Sequence, residues 1–519
     1  MSSAVPPPPR ALISRRRLLA SAGALAVGAA VVAELDLGLA SPEPRPGASP
    51  SPSTALASAT TGPTPSGSAQ PAVRRGFRSR PDIAAPLVEV TALHGIPAPG
   101  LILLTPANGD GTDGPTILDS AGELVWMRPD RAGNAADFRV ATLDGVPVLV
   151  WWEGANNAGI GTGEHVVVDT AYRELLRIRG QAGRQADLHE LRLTARRTAL
   201  FFADASVGPG VVTGSASVVP ILMDCAIQDV DLATGALRFE WHAVDHVDVA
   251  ESLVEKPAKD GAIWDYFHAN SIDEDADGNL LVSARNTSAV YKVDRVTGHV
   301  RWRLGGRRSD FAMGPGTSFA FQHDARRQAD GTITIFDDGQ APGSTRGIVL
   351  QLDEQAMTAT LLREFRQPQG LLATSQGNMQ VLPNGHVFIG WGSVPRFSEF
   401  AADGRLVLDA GFTASQSYRD GRFAWVGRPS RPPDIAVDSG SDGVVVYASW
   451  NGATEIATWD VLAGAGESSL RRVASSPRRG FETVIALGPL APGAGLVAVR
   501  AKDARGAVLG TSATLLIPD

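Results

Sequence analysis

The chain is poor in cysteine, in net positive charge and in long apolar runs. Its 519 residues hold one cysteine, Cys225, so neither an intramolecular disulfide nor a thiolate metal cluster can form. Lys and Arg number 47 against 55 Asp and Glu, a formal charge of −8, which excludes the basic surface that a nucleic-acid binder needs. Beyond the first forty residues no stretch is long and apolar enough to cross a bilayer. What the chain does have is 56 Gly and 35 Pro, a turn-rich composition that argues against a helical bundle, and 44 % hydrophobic residues, enough for sizeable cores.

The N-terminus reads as a targeting segment. Ser14-Arg15-Arg16-Arg17-Leu18-Leu19 precedes an uncharged run of 16 residues from Leu18 to Ala33, and Gly38-Leu39-Ala40 offers a small-x-small cleavage site. This order predicts a twin-arginine signal over residues 1–40 and an exported protein that meets the twin-arginine export machinery. The other reading, an uncleaved anchor, falls short of the roughly 20 apolar residues that span a bilayer. Ser41 to Ala72 holds eight prolines and a single large aliphatic residue, Leu56, too little apolar surface to fold. Residues 41–80 are therefore predicted to be a semi-extended tether, with a possible association with the cell envelope.

Beyond residue 85 the sequence repeats. Asp119-Ser-Ala-Gly122-Glu-Leu-Val-Trp126, Asp231-Leu-Ala-Thr-Gly235-Ala-Leu-Arg-Phe-Glu-Trp241 and Asp294-Arg-Val-Thr-Gly298-His-Val-Arg-Trp302 share an Asp, a Gly and alternating apolar residues that end in Trp. Each is a hairpin turn entering an edge strand. Weaker copies lie at Asp169 to Tyr172, Asp353 to Met357 and Glu399 to Gly404, and the turn residues 122, 172, 235, 298, 357 and 404 step by 50, 63, 63, 59 and 47. Six copies of a β-rich unit at this period predict an all-β fold, a six-bladed β-propeller over residues 85–430, in preference to an irregular sandwich array. After residue 430 the pattern changes to Val444-Val-Val-Tyr447-Ala-Ser-Trp450, Ala457-Thr-Trp459-Asp-Val461 and Leu496-Val-Ala-Val-Arg500, which read as a small β-sandwich over 435–519 resembling fibronectin type III and Ig-like domains.

Candidate chemistry lies where the repeats converge. Asp187-Leu-His189-Glu190, Tyr266-Phe-His268-Ala-Asn270-Ser271, Phe321-Gln322-His323-Asp324-Ala-Arg326 and Ser375-Gln376-Gly377-Asn378 occupy one repeat position, so three of nine histidines fall at equivalent places. In a propeller they face one axis. Group transfer through an imidazole needs a neutral ring nitrogen, amide or cationic donors for the developing charge and an acid for the leaving group. His323, Asn270 and His268 can supply these in that order. Asp324 or Glu190 is expected to orient an imidazole, and Arg326 to keep the setting anion-binding. Asp273-Glu-Asp275-Ala-Asp277-Gly278 matches half of a calcium loop but has Ala284 where a bidentate Glu belongs, so no metal is assigned. Trp151-Trp152 reads as core.

The runs Trp264-Asp-Tyr-Phe-His-Ala-Asn-Ser271, Leu281-Val-Ser-Ala-Arg285-Asn-Thr-Ser-Ala-Val-Tyr-Lys-Val293, Val300-Arg-Trp-Arg-Leu-Gly-Gly306, Gln322-His-Asp324 and Ile335-Phe-Asp-Asp-Gly339 resemble the arylsulfotransferase family. The resemblance implies an exported six-bladed propeller that moves a sulfuryl group from a phenolic sulfate donor to a phenol acceptor. It also implies no cofactor and no nucleotide donor, the group resting transiently on a histidine. By resemblance His268 and His323 match channel histidines, Arg346 matches a sulfate-binding arginine, and Arg285 joins His189, Asn270, Asp324 and Arg326 among the substrate-binding residues. The chain departs from the family at Gly377, where the late repeat of well-studied members carries the sulfated histidine. Either His323 or His268 has taken over as nucleophile, with His323 expected, or the chain is a catalytically silent ligand-binding or scaffold propeller.

Overall fold

Asp side chains close the repeated turns. Asp119, Asp169, Asp231, Asp294 and Asp353 each accept two backbone N–H groups from the residues that follow through one carboxylate oxygen, at 2.8–3.1 Å. These are Asx turns, in which a short carboxylate replaces a backbone acceptor. The six turn residues picked out by the repeat all have φ in the left-handed region, Gly122 at 80°, Gly235 at 70°, Gly298 at 74° and Gly404 at 88°, with Tyr172 at 59° and Met357 at 52° adopting it without glycine.

In the computed structural model residues 75–518 are described, apart from 108–112, 129–133, 208–220, 260, 442 and 489. The expected signal over residues 1–40 and the expected tether up to residue 74 lie outside the described residues. The linker's last six residues are ordered: Arg75–Gly76 pairs with Ala84–Ala85, Phe77 packs on Phe481 with ring centroids 4.4 Å apart, and Ser79 binds Glu482. An aromatic with a partner ring anchors this stretch.

Among the described residues between 88 and 423, six sheets of four or five strands follow one another, antiparallel except where the short Ala312–Met313 pairs parallel in the fifth. Sheet one contains Leu101–Leu104, Thr116–Leu118 and Leu124–Met127; sheet two Asn134–Leu143, Val146–Asn157, Ile160–Val168 and Glu174–Ile178. Sheet three contains Leu191–Leu193, Thr198–Phe202, Ala226–Asp231 and Leu237–His242; sheet four Ala269–Glu274, Leu280–Ala284, Ala289–Val293 and Val300–Gly305. Sheet five is built from His323–Arg327, Ile333–Asp337, Arg346–Asp353 and Thr358–Phe365, and sheet six from Asn378–Val381, Val387–Gly390, Arg396–Phe400 and Leu406–Phe412. The repeated turns join the third and fourth strands of each sheet. The fourth strand is the edge in sheets one to four, while short Ala312–Met313 and Val88–Leu93 pair outside it in sheets five and six.

Middle strands are buried on both faces, as in Leu280–Ala284 and Ile333–Asp337, because each sheet packs against two others. Phe138, Trp151 and Val166 of sheet two share a core with Leu103 and Trp126 of sheet one, and Val148 and Val167 share another with Phe201 of sheet three. Further cores join three to four, four to five and five to six, and Phe388, Phe397 and Leu408 of sheet six meet Ile102 and Leu118 of sheet one. Gly421–Phe423, which follows sheet six, pairs with Leu101–Leu104 and completes sheet one. Trp151 and Trp152 are core residues, with the Trp152 Nε1–H donated to the Ala186 carbonyl.

Asp434–Gly440, Gly443–Ser449 and Glu482–Gly488 form one further antiparallel sheet, and Arg471–Pro477, Thr458–Gly464, Leu496–Lys502 and Val508–Thr511 another. They share a core around Val446, Trp459, Val461 and Val499. Tyr172 stacks on Trp126 and donates its hydroxyl to the Gly452 carbonyl at 2.8 Å, and Asn451 bonds both the N–H and the carbonyl of Met127, so residues 71–519 form one unit. Among the described residues no helix is long and apolar enough to cross a membrane.

One buried group sets an acid limit on this core. His165, on the third strand of sheet two, is fully buried, its ring edge-on to Phe201, and neither ring nitrogen has a hydrogen-bond partner. Burial, reinforced by the Arg139 charge, pushes its imidazole down to about 3. The unfolded chain takes up a proton here below about pH 6.5, whereas the folded chain does so only near 3. Stability is therefore lost as pH falls through that interval. His165→Leu removes the term, and the midpoint of acid unfolding followed by Trp fluorescence is expected to move to lower pH. An unmoved or higher midpoint contradicts this account.

Candidate functional site

The first strands of sheets three to six begin around one cavity of about 580 Å³. His189 lies two residues before Leu191–Leu193, His268 immediately before Ala269–Glu274, and His323 opens His323–Arg327. All three line the cavity, with Arg285, Asp265, Gln376 and Tyr418. The strands carry irregular register at these points, between Ala269 and Ser271 and between His323 and Arg326. His268 has φ 53° and Gln376 φ 69°, left-handed conformations unusual for these residues, which cluster where a site must aim side chains off a regular strand.

Each histidine is held through Nδ1 by an aspartate. His189 meets Asp187 at 2.5 Å, His323 meets Asp338 at 2.7 Å, and His268 meets Asp265. His189 and His268 also touch edge to face, with ring centroids 4.9 Å apart. The three pairs differ electrically. Burial alone raises the Asp187 and Asp265 carboxyls, but the contacts with His189 and His268 respectively, joined at Asp187 by the backbone N–H groups of Gly161 and His189, hold them below their ordinary range. His323 is instead driven well below its usual value by burial and by the charge of Arg285, so it stays neutral. Its Nε2 accepts the Gln376 N–H at 3.2 Å, which places the ring proton on Nδ1, toward Asp338.

Arg285 supplies the cation. Its guanidinium lies 4.8 Å above the Phe321 ring and donates to Asn286 Oδ1 and the Thr374 carbonyl, at 3.0 and 2.9 Å. Arg346, expected to bind sulfate, does not line this cavity. It pairs with Asp337 at 3.0 Å and Glu364 at 2.6 Å, and donates to the carbonyls of Gly316 and Ser318, so its donors are consumed in holding a loop.

Asn270 is buried behind the cavity wall and donates to the Gln322 carbonyl at 2.7 Å. Asp324 and Arg326 lie on a different side. Arg326 binds Asp324, Glu190 and the Ile272 carbonyl at 2.9, 2.5 and 2.8 Å, and both residues line a second cavity of about 270 Å³ with Arg139, Arg192 and Arg419. Tyr418 lines the first cavity and neighbouring Arg419 the second, where Arg419 bonds Asp137 and the Asn270 carbonyl. Against the raising effect of burial, Arg326, Arg419 and Arg139 hold Glu190 down to about 2. This balanced ion-pair layer is structural. Neither Asp324 nor Glu190 orients an imidazole; Asp338, Asp265 and Asp187 do. Two of these stand two or three residues before their histidine in sequence, and that spacing was the available signal.

Gly377 cannot carry a histidine in this backbone. Its φ is 91°, and a Cβ there would lie 2.3 Å from Cε1 of Phe336. His386, in the same sheet, bonds Glu399 at 2.7 Å and does not line the cavity. In the Asp-rich loop, the Lys292 ammonium lies 2.9 Å from Asp275 and 2.8 Å from Asp277, where a bound cation would sit.

The family described as Arylsulfotransferase (ASST) matches residues 139–413, more than half of the chain, and the protein belongs to that family. Membership ties it to aryl sulfotransferase-type function and to phenolic substrates. No curated protein matches the sequence. Among solved structures, a protein of unknown function from Bacteroides caccae is 14 % identical with a TM-score of 0.39, covering 62 % of this chain and 98 % of its own. A catalytically inactive virginiamycin B lyase from Staphylococcus aureus with quinupristin is 9 % identical with a TM-score of 0.33, covering 71 % and 97 %.

Proposed function

We propose that the six sheets are the blades of one closed propeller, followed by a β-sandwich from residue 435, and that its histidine cavity moves a sulfuryl group between phenols without a nucleotide donor. The observation that carries this reading is His323, a neutral imidazole fixed between Asp338 and the Gln376 N–H, beside Arg285. The donor's sulfur is attacked by the Nε2 lone pair. An S–N bond forms as the S–O bond to the aryl group breaks, and His268, its Nδ1 turned to Asp265, gives a proton to the departing phenolate. In the second half, neutral His268 takes the acceptor's hydroxyl proton while that oxygen displaces Nε2. Atoms balance as aryl sulfate plus phenol giving phenol plus aryl sulfate. Arg285 and the Gln376 N–H, released from its long bond to Nε2, stabilise the sulfuryl oxygens. The reading of residues 1–40 as a twin-arginine signal supports this chemistry taking place outside the cytoplasm.

The test uses 4-nitrophenyl sulfate with and without a second phenol. Release of 4-nitrophenol that rises with added phenol, matched by a new aryl sulfate in equal amount, is the expected result. The second reading, a silent binder, draws on the absence of the late histidine at Gly377. Aryl sulfates that bind with no release and no sulfate label on the protein favour it.

A further inference from the structure

The cavity wall is unusual for a site that takes a bare phenol. Leu188 and Val254 are its large aliphatic side chains, and its one phenol ring, Tyr418, already packs edge-on against His189 at 5.4 Å. Carboxamides dominate instead. Gln376 and Gln416 bond each other at 2.9 Å, which uses one NH₂ and one C=O of the pair and leaves one of each, whichever way the amides are turned. The Gln376 oxygen assigned as free is buried without a partner. Asn156 spends its oxygen on the Gly159 N–H at 2.9 Å, while its NH₂ makes no hydrogen bond among the described residues. Asn134 stands at the same wall, on the strand paired with that of Asn156.

Amide NH₂ donors left unpaired in one cavity, on Asn156 and Gln416, call for a ligand that offers acceptors at several points, as hydroxyl groups do. A benzene ring satisfies none of them. The volume, about 580 Å³, also lies in the range of pockets that enclose drug-sized molecules, well above what a single ring with one sulfate fills.

We propose that the acceptor carries a sugar-like array of hydroxyls next to its phenol, so that the cavity takes a phenolic glycoside in preference to a bare phenol. This rests on the reading of the cavity as the transfer site. The phenolic oxygen receives the sulfuryl group and loses its proton to His268. The sugar hydroxyls bind the NH₂ groups of Asn156 and Gln416, and no bond of the sugar is made or broken.

The probes are 4-hydroxyphenyl β-D-glucoside and 4-methoxyphenol, which present similar phenols with and without the hydroxyl array. Calorimetric titration of the wild-type protein is expected to give a dissociation constant about tenfold lower for the glucoside, the worth of one or two net hydrogen bonds. Asn156→Asp and Gln416→Glu keep the oxygens that bond Gly159 and Gln376 but remove the NH₂ donors. Each is expected to cut the glucoside preference about fivefold. A glucoside that binds no more tightly than 4-methoxyphenol, or an undiminished preference in both variants, overturns the proposal. Turnover with 4-nitrophenyl sulfate is scored separately: its absence with both acceptors sinks the transfer reading, whereas the ratio of dissociation constants still decides acceptor class.

Discussion

His323→Ala is expected to lower turnover of aryl sulfates by roughly 10⁴-fold or more and to leave no sulfated peptide, the scale of loss on removing a covalent nucleophile. The variant deletes the Nε2 lone pair that the Asp338 contact and the Gln376 N–H hold in the attacking tautomer. Asp338→Asn is the sharper probe. An amide NH₂ facing Nδ1 moves the ring proton to Nε2, where it opposes the Gln376 N–H and blocks attack, so a loss approaching that of His323→Ala is expected with the imidazole still present. His268→Ala is expected to slow release most for poor leaving groups, which depend on a proton. The pH profile adds an independent sign. His323 is held well below its usual value by burial and by Arg285, so the limb for protonation of the nucleophile should fall well below pH 6.5. Mass mapping after brief exposure to donor checks the assignment directly. Sulfate on another residue, or activity of His323→Ala within tenfold of wild type, rejects it.

Much of the architecture was legible because its signals are local. An Asp that caps its own turn recurs five times and a left-handed turn residue six times, and even Tyr172 and Met357 keep the conformation, so spacing alone located every third-to-fourth strand connection. The convergence of His189, His268 and His323 on one cavity followed from their shared repeat position. Which neighbours would serve them did not. Successive residues of a strand point to opposite sides, so Asp324, next to His323, faces Arg326 and the ion-pair layer, while Asp338 on the adjoining strand's end meets the imidazole. The same alternation separates Asp337 from Asp338 and sends Arg346 to the former, away from the cavity. Side-chain direction across paired strands depends on register, and register shifts at His323 broke the simple count.

The choice between two arginines tests that lesson in function. Arg285 lines the cavity, and its charge is the largest contribution after burial to keeping His323 neutral. Arg285→Met is expected to lower kcat/KM for aryl sulfates by about 10²–10³-fold, the usual cost of losing one preorganised donor to developing charge. Arg285→Lys should recover only part of it, because an ammonium does not reproduce the planar fork that spans Asn286 and the Thr374 carbonyl while resting on Phe321. Arg346→Met is expected to behave differently. It leaves Asp337, already raised by burial, without its guanidinium partner, leaves Glu364 to Arg366 alone, and frees the Gly316 and Ser318 carbonyls, at a cost of about 1–3 kcal/mol in stability. Turnover per folded molecule should stay within about threefold of wild type, while the melting temperature falls. The decisive comparison is the pair of variants measured side by side for melting temperature and for 4-nitrophenol release. If Arg346→Met loses turnover at an unchanged melting temperature while Arg285→Met keeps it, the sulfuryl group is bound at the loop that Arg346 holds and not beside His323.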